Sequence, residues 1–146
     1  MVLTKQELSK LKKKAKADGA KFEKKTREHY EDMGWVVTKW RNNIDLQTGK
    51  IVKANNFYIP GRGNVMGSGF PDFVIFKKNH HDSHYEVIFI ESKLNGFLSK
   101  EEKLKLKVLN ELGHKTLIAY EDKSCQNNIR IREFIYTDGK EKIPRN

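Results

Sequence analysis

Apolar and polar positions divide this chain into segments of different period. Val, Ile, Phe and Tyr dominate residues 73–78 and 85–91, in runs of the length and composition of buried strands. Asn79-His80-His81-Asp82-Ser83-His84 between them is a polar connection of hairpin length, so the two runs predict an antiparallel pair. Residues 35–40 and 115–120 read as further strands. Ile129, Ile131, Phe134 and Ile135 mark a last element packing nearby, with residues 138–146 frayed.

Helical spacing appears in three places. Thr4-Lys5-Gln6-Glu7 fits a capping box, with Leu8, Leu11 and Ala15 following up to a stop at Asp18-Gly19. A second helix is predicted from about residue 20 to 33, with Phe22, Tyr30 and Met33 as its apolar stripe and Gly34 as its stop. Ser99-Lys100-Glu101-Glu102 opens the clearest helix, over 99–112, with Leu104, Val108, Leu109 and Leu112 as the buried stripe and Gly113 as the end. Residues 41–70 are the least regular, with 51–52 and 57–59 able to form a short hairpin or lid. The order of helices and strands predicts an α/β domain with a mixed central sheet flanked by helices.

Charged residues stand at the ends of the two apolar runs. In an antiparallel pair, opposed positions have a constant sum. With the turn centred on 79–84 that sum is 163, which sets Asp72 opposite Glu91. Alternation along the strand puts Lys93 on the same face. Opposed Cα atoms lie roughly 4.5–5.5 Å apart, and like charges at such range repel by several kcal/mol at an effective dielectric of about 20. Either one carboxylate takes up a proton or a cation sits between them. A hard divalent ion such as Mg²⁺ suits the second case, because it takes oxygen ligands and keeps waters. Taken singly, Asp72 is an ordinary turn residue after Pro71, and Glu91 and Lys93 are ordinary strand-end charges.

In order and spacing these residues resemble the PD-(D/E)xK nuclease superfamily: Gly69-Phe70-Pro71-Asp72, then Glu91-Ser92-Lys93 about twenty residues later. Upstream, Gly19-Ala20-Lys21-Phe22-Glu23 and Gly34-Trp35-Val36-Val37 are similar to archaeal Holliday-junction resolvases and VRR-type nuclease domains. Downstream, the likeness continues through Leu98-Ser99 and the helix to Gly113-His114, covering roughly residues 19–120. VRR-type domains often carry a glutamine in that helix, where this chain has Glu102.

At 146 residues the chain is expected to form a single domain spanning 1–146, and the resemblance implies a restriction-endonuclease-like core over 19–120. Residues 1–18 would be a mobile basic helix and 121–146 a C-terminal element and tail. It also implies an Mg²⁺-dependent endonuclease hydrolysing DNA phosphodiesters, on branched or structured DNA, with Mn²⁺ able to substitute. Asp72, Glu91 and the Ser92 backbone carbonyl would hold the ion, and Lys93 would act on the attacking water or the phosphate. Glu23 would be an outer ligand, although by its own spacing it is an i,i+4 partner of Arg27. Related resolvases act as dimers, so a homodimer is a further expectation.

Charge agrees with a polyanionic partner: 29 Lys and Arg stand against 19 Asp and Glu, a formal net charge of +10. Residues 1–30 hold ten Lys or Arg and four Asp or Glu. Lys12, Lys13, Lys14, Arg41, Arg62, Lys100, Lys103 and Lys107 are the expected DNA contacts, with Trp40 or Tyr58 as a stacking face; solvated lysines and core aromatics are the plain alternatives. Charge alone also fits a non-catalytic nucleic-acid-binding protein with a vestigial nuclease site, and an RNA-directed nuclease keeps the site but changes the substrate.

Remaining features exclude more than they add. A single cysteine, Cys125, forms no intramolecular disulfide, and no apolar run is long enough to span a bilayer, so an intracellular protein without a membrane partner is expected. The glycine-rich stretch 61–69 lacks a following Gly-Lys-Ser/Thr and fits no nucleotide loop; its glycines are expected to let the backbone approach the metal site or the phosphate. His80, His81, Asp82 and His84 fall in the predicted turn, at the far end of the hairpin from Asp72 and Glu91.

Overall fold

A computed structural model of the chain describes residues 2–55, 57–61, 63–65, 69–137 and 139–142. Six strands form a mixed sheet in the order β1 (Val36–Lys39), β6 (Phe73–Lys78), β7 (Tyr85–Lys93), β8 (Lys115–Glu121), β9 (Ile129–Thr137) and β10 (Lys140–Lys142). The pair β7–β8 is parallel and the others are antiparallel. Helix α2 (Lys100–Glu111) makes the crossover that a parallel pair requires. Two small hairpins complete the fold: β2 (Asn42–Asp45) with β3 (Lys50–Lys53), and β4 (Phe57–Ile59) with β5 (Gly63–Val65).

The predicted register of the central hairpin is the observed one. Phe73 lies opposite Ile90 and Lys78 opposite Tyr85, keeping the sum of 163 throughout. Alternation then sorts the strand residues onto two cores. Phe73, Ile75, Ile88, Ile90, Leu117 and Ala119 pack with Phe22 and Tyr30 of helix α1 (Lys5–Asp32) on one face. Phe89 and Ile118 pack with Leu106, Leu109 and Phe134 on the other.

Three expectations about the helices are corrected. Helix α1 runs unbroken through Gly19 for 28 residues, where a stop was expected. A glycine inside a helix costs only about 1 kcal/mol relative to alanine, and Gly19 has a free flank. The true end is at Gly34, whose φ of +84° suits glycine. Its N–H donates to the Glu31 carbonyl and the next N–H, from Trp35, to the Tyr30 carbonyl, the two bonds of a Schellman cap. The buried stripe of α1 is Phe22, Thr26 and Tyr30, while Met33 is exposed.

Helix α2 begins with the predicted capping box at Ser99 and Glu102 and buries Leu109 as expected, but its other buried position is Leu106 rather than Leu104 or Leu112, which are exposed. Residues 51–52 pair with 43–44 and not with 57–59, which pair with 63–65. Part of the expected frayed tail, Lys140–Lys142, forms the edge strand β10. Residues 5–17 of α1 are all exposed, so its first half projects beyond the sheet. Among the described residues, no helix is long and apolar enough to cross a membrane.

Candidate active site

Sheet geometry brings Asp72 and Glu91 together at one end of the β6–β7 pair. Their approach depends on close backbone packing just before β6. A Cβ on Gly69 would lie 2.1 Å from the Trp40 carbonyl oxygen, so only glycine lets the chain cross there. Gly69 thus serves a contact between two backbones. Phe70 then donates its N–H to the Asn42 carbonyl, and Trp40 donates to the Asp72 carbonyl, both by the backbone.

Reciprocal bonds from the main chain fix both carboxylates. The Asp72 N–H donates to Glu91 Oε2 at 3.1 Å, and the Ser92 N–H donates to Asp72 Oδ2 at 2.9 Å. Within a strand a residue's N–H and carbonyl point to the same side, so the Ser92 carbonyl is directed towards the Asp72 side of β7. Glu91 shares its face with Phe89, and Asp72 shares that face with Val74.

Two lysines flank the pair. Lys93 Nζ lies 3.5 Å from Glu91 Oε1 and donates to Glu102 Oε1 at 2.5 Å. The other Glu102 oxygen accepts the Ser99 N–H at 2.7 Å, so one side chain both caps α2 and holds Lys93. On the opposite side, Lys39 Nζ is 3.7 Å from Asp72 Oδ1, is ion-paired and hydrogen-bonded to Glu23, and lies over the Phe73 ring. Glu23 therefore reaches the site through Lys39, and the Arg27 expected beside it pairs with Glu31 instead.

Burial dominates the electrostatics. It raises the pKa of Asp72, opposed by the Ser92 N–H and by Lys39 and Lys93. Burial, followed by the Asp72 charge, pushes Glu91 up to about 8. Burial alone would lower the Lys93 ammonium, but its hydrogen bond to Glu102 and the charges of Glu91 and Glu102 outweigh that and raise it. Four carboxylates and two ammonium groups leave a net charge of −2 when all are ionised.

An all-oxygen donor set made of two carboxylates and one backbone carbonyl fits a hard divalent ion that retains several waters. Among the described residues, no three His, Cys, Asp or Glu side chains converge as ligands on one point. Such an ion would depend on Asp72, Glu91 and the Ser92 carbonyl, with water completing its shell.

The expected DNA contacts are dispersed. Lys12, Lys13 and Lys14 are exposed on the projecting half of α1, and Arg41 and Lys100 are exposed near the sheet. Lys103 and Lys107 have carboxylate partners, Glu141 at 3.2 Å and Glu111 at 2.9 Å. Arg62 lies outside the described residues, as does the Tyr58 side chain. Trp40 is half-buried and packs edge-to-face on Phe89 of the core at 5.0 Å, which occupies it as a packing residue. His80, His81 and His84 are exposed in the hairpin turn.

Sequence patterns missed two members of the site. Lys39 gives no local signal, since Glu23 and Asp72 are distant in the chain. Glu102 was visible as a cap and as the residue standing where VRR-type domains often carry a glutamine, but its bond to Lys93 follows only once α2 is docked on Phe89's face. No family model matches this chain, and no curated protein or solved structure matches it.

Proposed function

We propose that this protein is a divalent-metal-dependent endonuclease that hydrolyses DNA phosphodiesters, with Mg²⁺ as the ion and branched or structured DNA as the substrate. One observation carries this reading: a buried carboxylate, Glu91, and a half-buried one, Asp72, held side by side by each other's backbone, lie beside an ammonium group in a strongly basic chain. Structural roles alone explain this poorly, because two adjacent acids so placed raise each other's proton affinity and cost stability at neutral pH. The likeness of Pro71-Asp72 and Glu91-Ser92-Lys93 to the PD-(D/E)xK pattern, and with it a restriction-endonuclease-like core, supports the same reading.

Asp72, Glu91 and the Ser92 carbonyl would hold the ion. When bound, the ion would polarise a phosphoryl oxygen, acidify a coordinated water and stabilise the leaving oxygen. Lys93, kept charged by Glu102, would orient the attacking water or offset charge growing on the phosphate. Its position between Glu91 and Glu102 limits the rotamers it can adopt, which preorganises that donor. Glu23 would act at one remove, by fixing Lys39 against Asp72. The exposed lysines of α1 would bind phosphates without reading sequence.

Incubation with branched, duplex and single-stranded DNA, with matched RNA as competitor, tests this directly. Cleavage that needs Mg²⁺ or Mn²⁺, stops with EDTA and is lost in Asp72→Ala and Lys93→Ala is the expected result. Metal-independent binding without product would identify a non-catalytic binding protein, and equal cutting by the variants would refute the mechanism.

A further inference from the structure

Asp72 sits between two half-sites of different character. On the α2 face stand Glu91, Lys93 and Glu102. On the α1 face, Glu23 is the remaining acid, and its carboxylate is taken by Lys39. Many metal-dependent phosphodiesterases place two divalent ions on either side of one bridging carboxylate, roughly 3.5–4 Å apart. Asp72 is placed to be such a bridge, but its Oδ2 accepts the Ser92 N–H and its Oδ1 faces the Lys39 ammonium at 3.7 Å.

We propose that Lys39 is a built-in cation that fills the Glu23–Asp72 half of the site, so that each chain takes one divalent ion and not a pair. This inference rests on the nuclease reading and deepens it. Three features support it besides the contacts with both acids. The Lys39 ammonium lies 5.1 Å from the Phe73 ring centroid, so both ring and carboxylates hold it in place. Thr38 beside it donates to the Val74 carbonyl at 2.9 Å, tying this part of β1 to β6. Finally, the net charge of −2 left by the four acids and two lysines is what a single divalent ion neutralises. A second such ion would leave the cluster with an excess positive charge unless a lysine were expelled.

Mn²⁺ titration of the metal-free chain tests this without any catalytic readout, by calorimetry and by the electron paramagnetic resonance signal of free and bound ion. The parent should bind one Mn²⁺, abolished by Asp72→Asn. Lys39→Met, which keeps the apolar stem and removes the charge, should bind two, with spectral coupling between the ions. Lys39→Met combined with Glu23→Gln should return to one. Two ions in the parent, or one in a folded Lys39→Met, would overturn the inference and leave the nuclease reading standing. If Lys39→Met does not fold, Glu23→Gln alone decides: Mn²⁺ affinity within about threefold of the parent agrees, whereas a loss above tenfold makes Glu23 a ligand and overturns the inference. No Asp72-dependent Mn²⁺ in the parent would overturn both.

Discussion

Asp72 donates its backbone N–H to the carboxylate of Glu91, and through that bond two strands hold their acids together at 3.1 Å from backbone to side chain. The return bond, from the Ser92 N–H to Asp72, prevents either acid from turning away from the other. Two ionised groups about 4 Å apart repel by roughly 4 kcal/mol at an effective dielectric near 20. Lys39 and Lys93 offset part of such repulsion here, and a proton or a further cation relieves the rest, which sets the pH behaviour.

Stability without metal should therefore fall as pH rises. The Glu91 pKa is raised from 4.5 to about 8 in the fold, so the folded chain binds that proton more tightly than the unfolded chain. Its contribution is fully present below the unfolded value and is lost as pH rises through the folded one. In EDTA, Tm should decline from about pH 5.5 to about pH 8.5, and Glu91→Gln should remove most of that slope. Added Mg²⁺ should raise Tm more at the higher pH, because the ion there replaces a missing proton. Thermal melts across this range check both statements.

Removing the Lys93 ammonium should affect chemistry far more than binding. By comparison with loss of one preorganised donor, Lys93→Ala should cut DNA about 10²–10³-fold more slowly. Its DNA affinity in Ca²⁺ should stay within about twofold, since one phosphate contact among many is at stake. Glu102→Gln keeps the capping oxygen for Ser99 but loses the charge that holds Lys93. It should slow cleavage by a smaller factor, about tenfold, with a melting temperature close to the parent's. Single-turnover rates beside filter-binding affinities separate these effects.

The central hairpin was legible in the sequence because a polar turn of fixed length and period-two alternation leave one register that buries Phe73, Ile75, Ile88 and Ile90 together. The same two facts placed Asp72 opposite Glu91. Helix caps were legible for local reasons: Ser99 with Glu102, and Gly34 after Met33, act within a few residues. Less legible was whatever tertiary docking decides. Leu104 and Leu106 are equally apolar, and only the position of α2 over Phe89 and Ile118 selects Leu106. Strand β2, with Asn42, Asn43 and Asp45, has weak strand propensity and forms by pairing with β3. Lys39 was missed because its partners lie 16 residues upstream on a helix and across the strand ladder at Asp72.

That selection has a measurable consequence. Leu106→Ala should destabilise the fold by about 2–5 kcal/mol, because the side chain is fully buried. Leu104→Ala, at a position 38% exposed, should cost less than about 1 kcal/mol. Urea titrations of the two variants distinguish this docking of α2 from one that buries the Leu104 stripe.

The projecting half of α1 should be dispensable for folding but not for binding. Deleting residues 1–17 removes only exposed side chains among the described residues, so the melting temperature should change little. DNA affinity should fall, and the slope of log K against log salt should become shallower. For Lys12, Lys13 and Lys14 changed together to Gln, the slope should shrink by up to about 0.9 per lost phosphate contact. Affinity measured across a salt series provides the check.

The most direct measurement is anomalous diffraction from a crystal of the chain soaked in Mn²⁺. A peak about 2.1 Å from oxygens of Asp72, Glu91 and the Ser92 carbonyl, with Lys93 beside it, is the predicted result. Density that avoids these oxygens while the two carboxylates remain bonded to each other's backbone would contradict a shared ion, and with it the proposed hydrolysis.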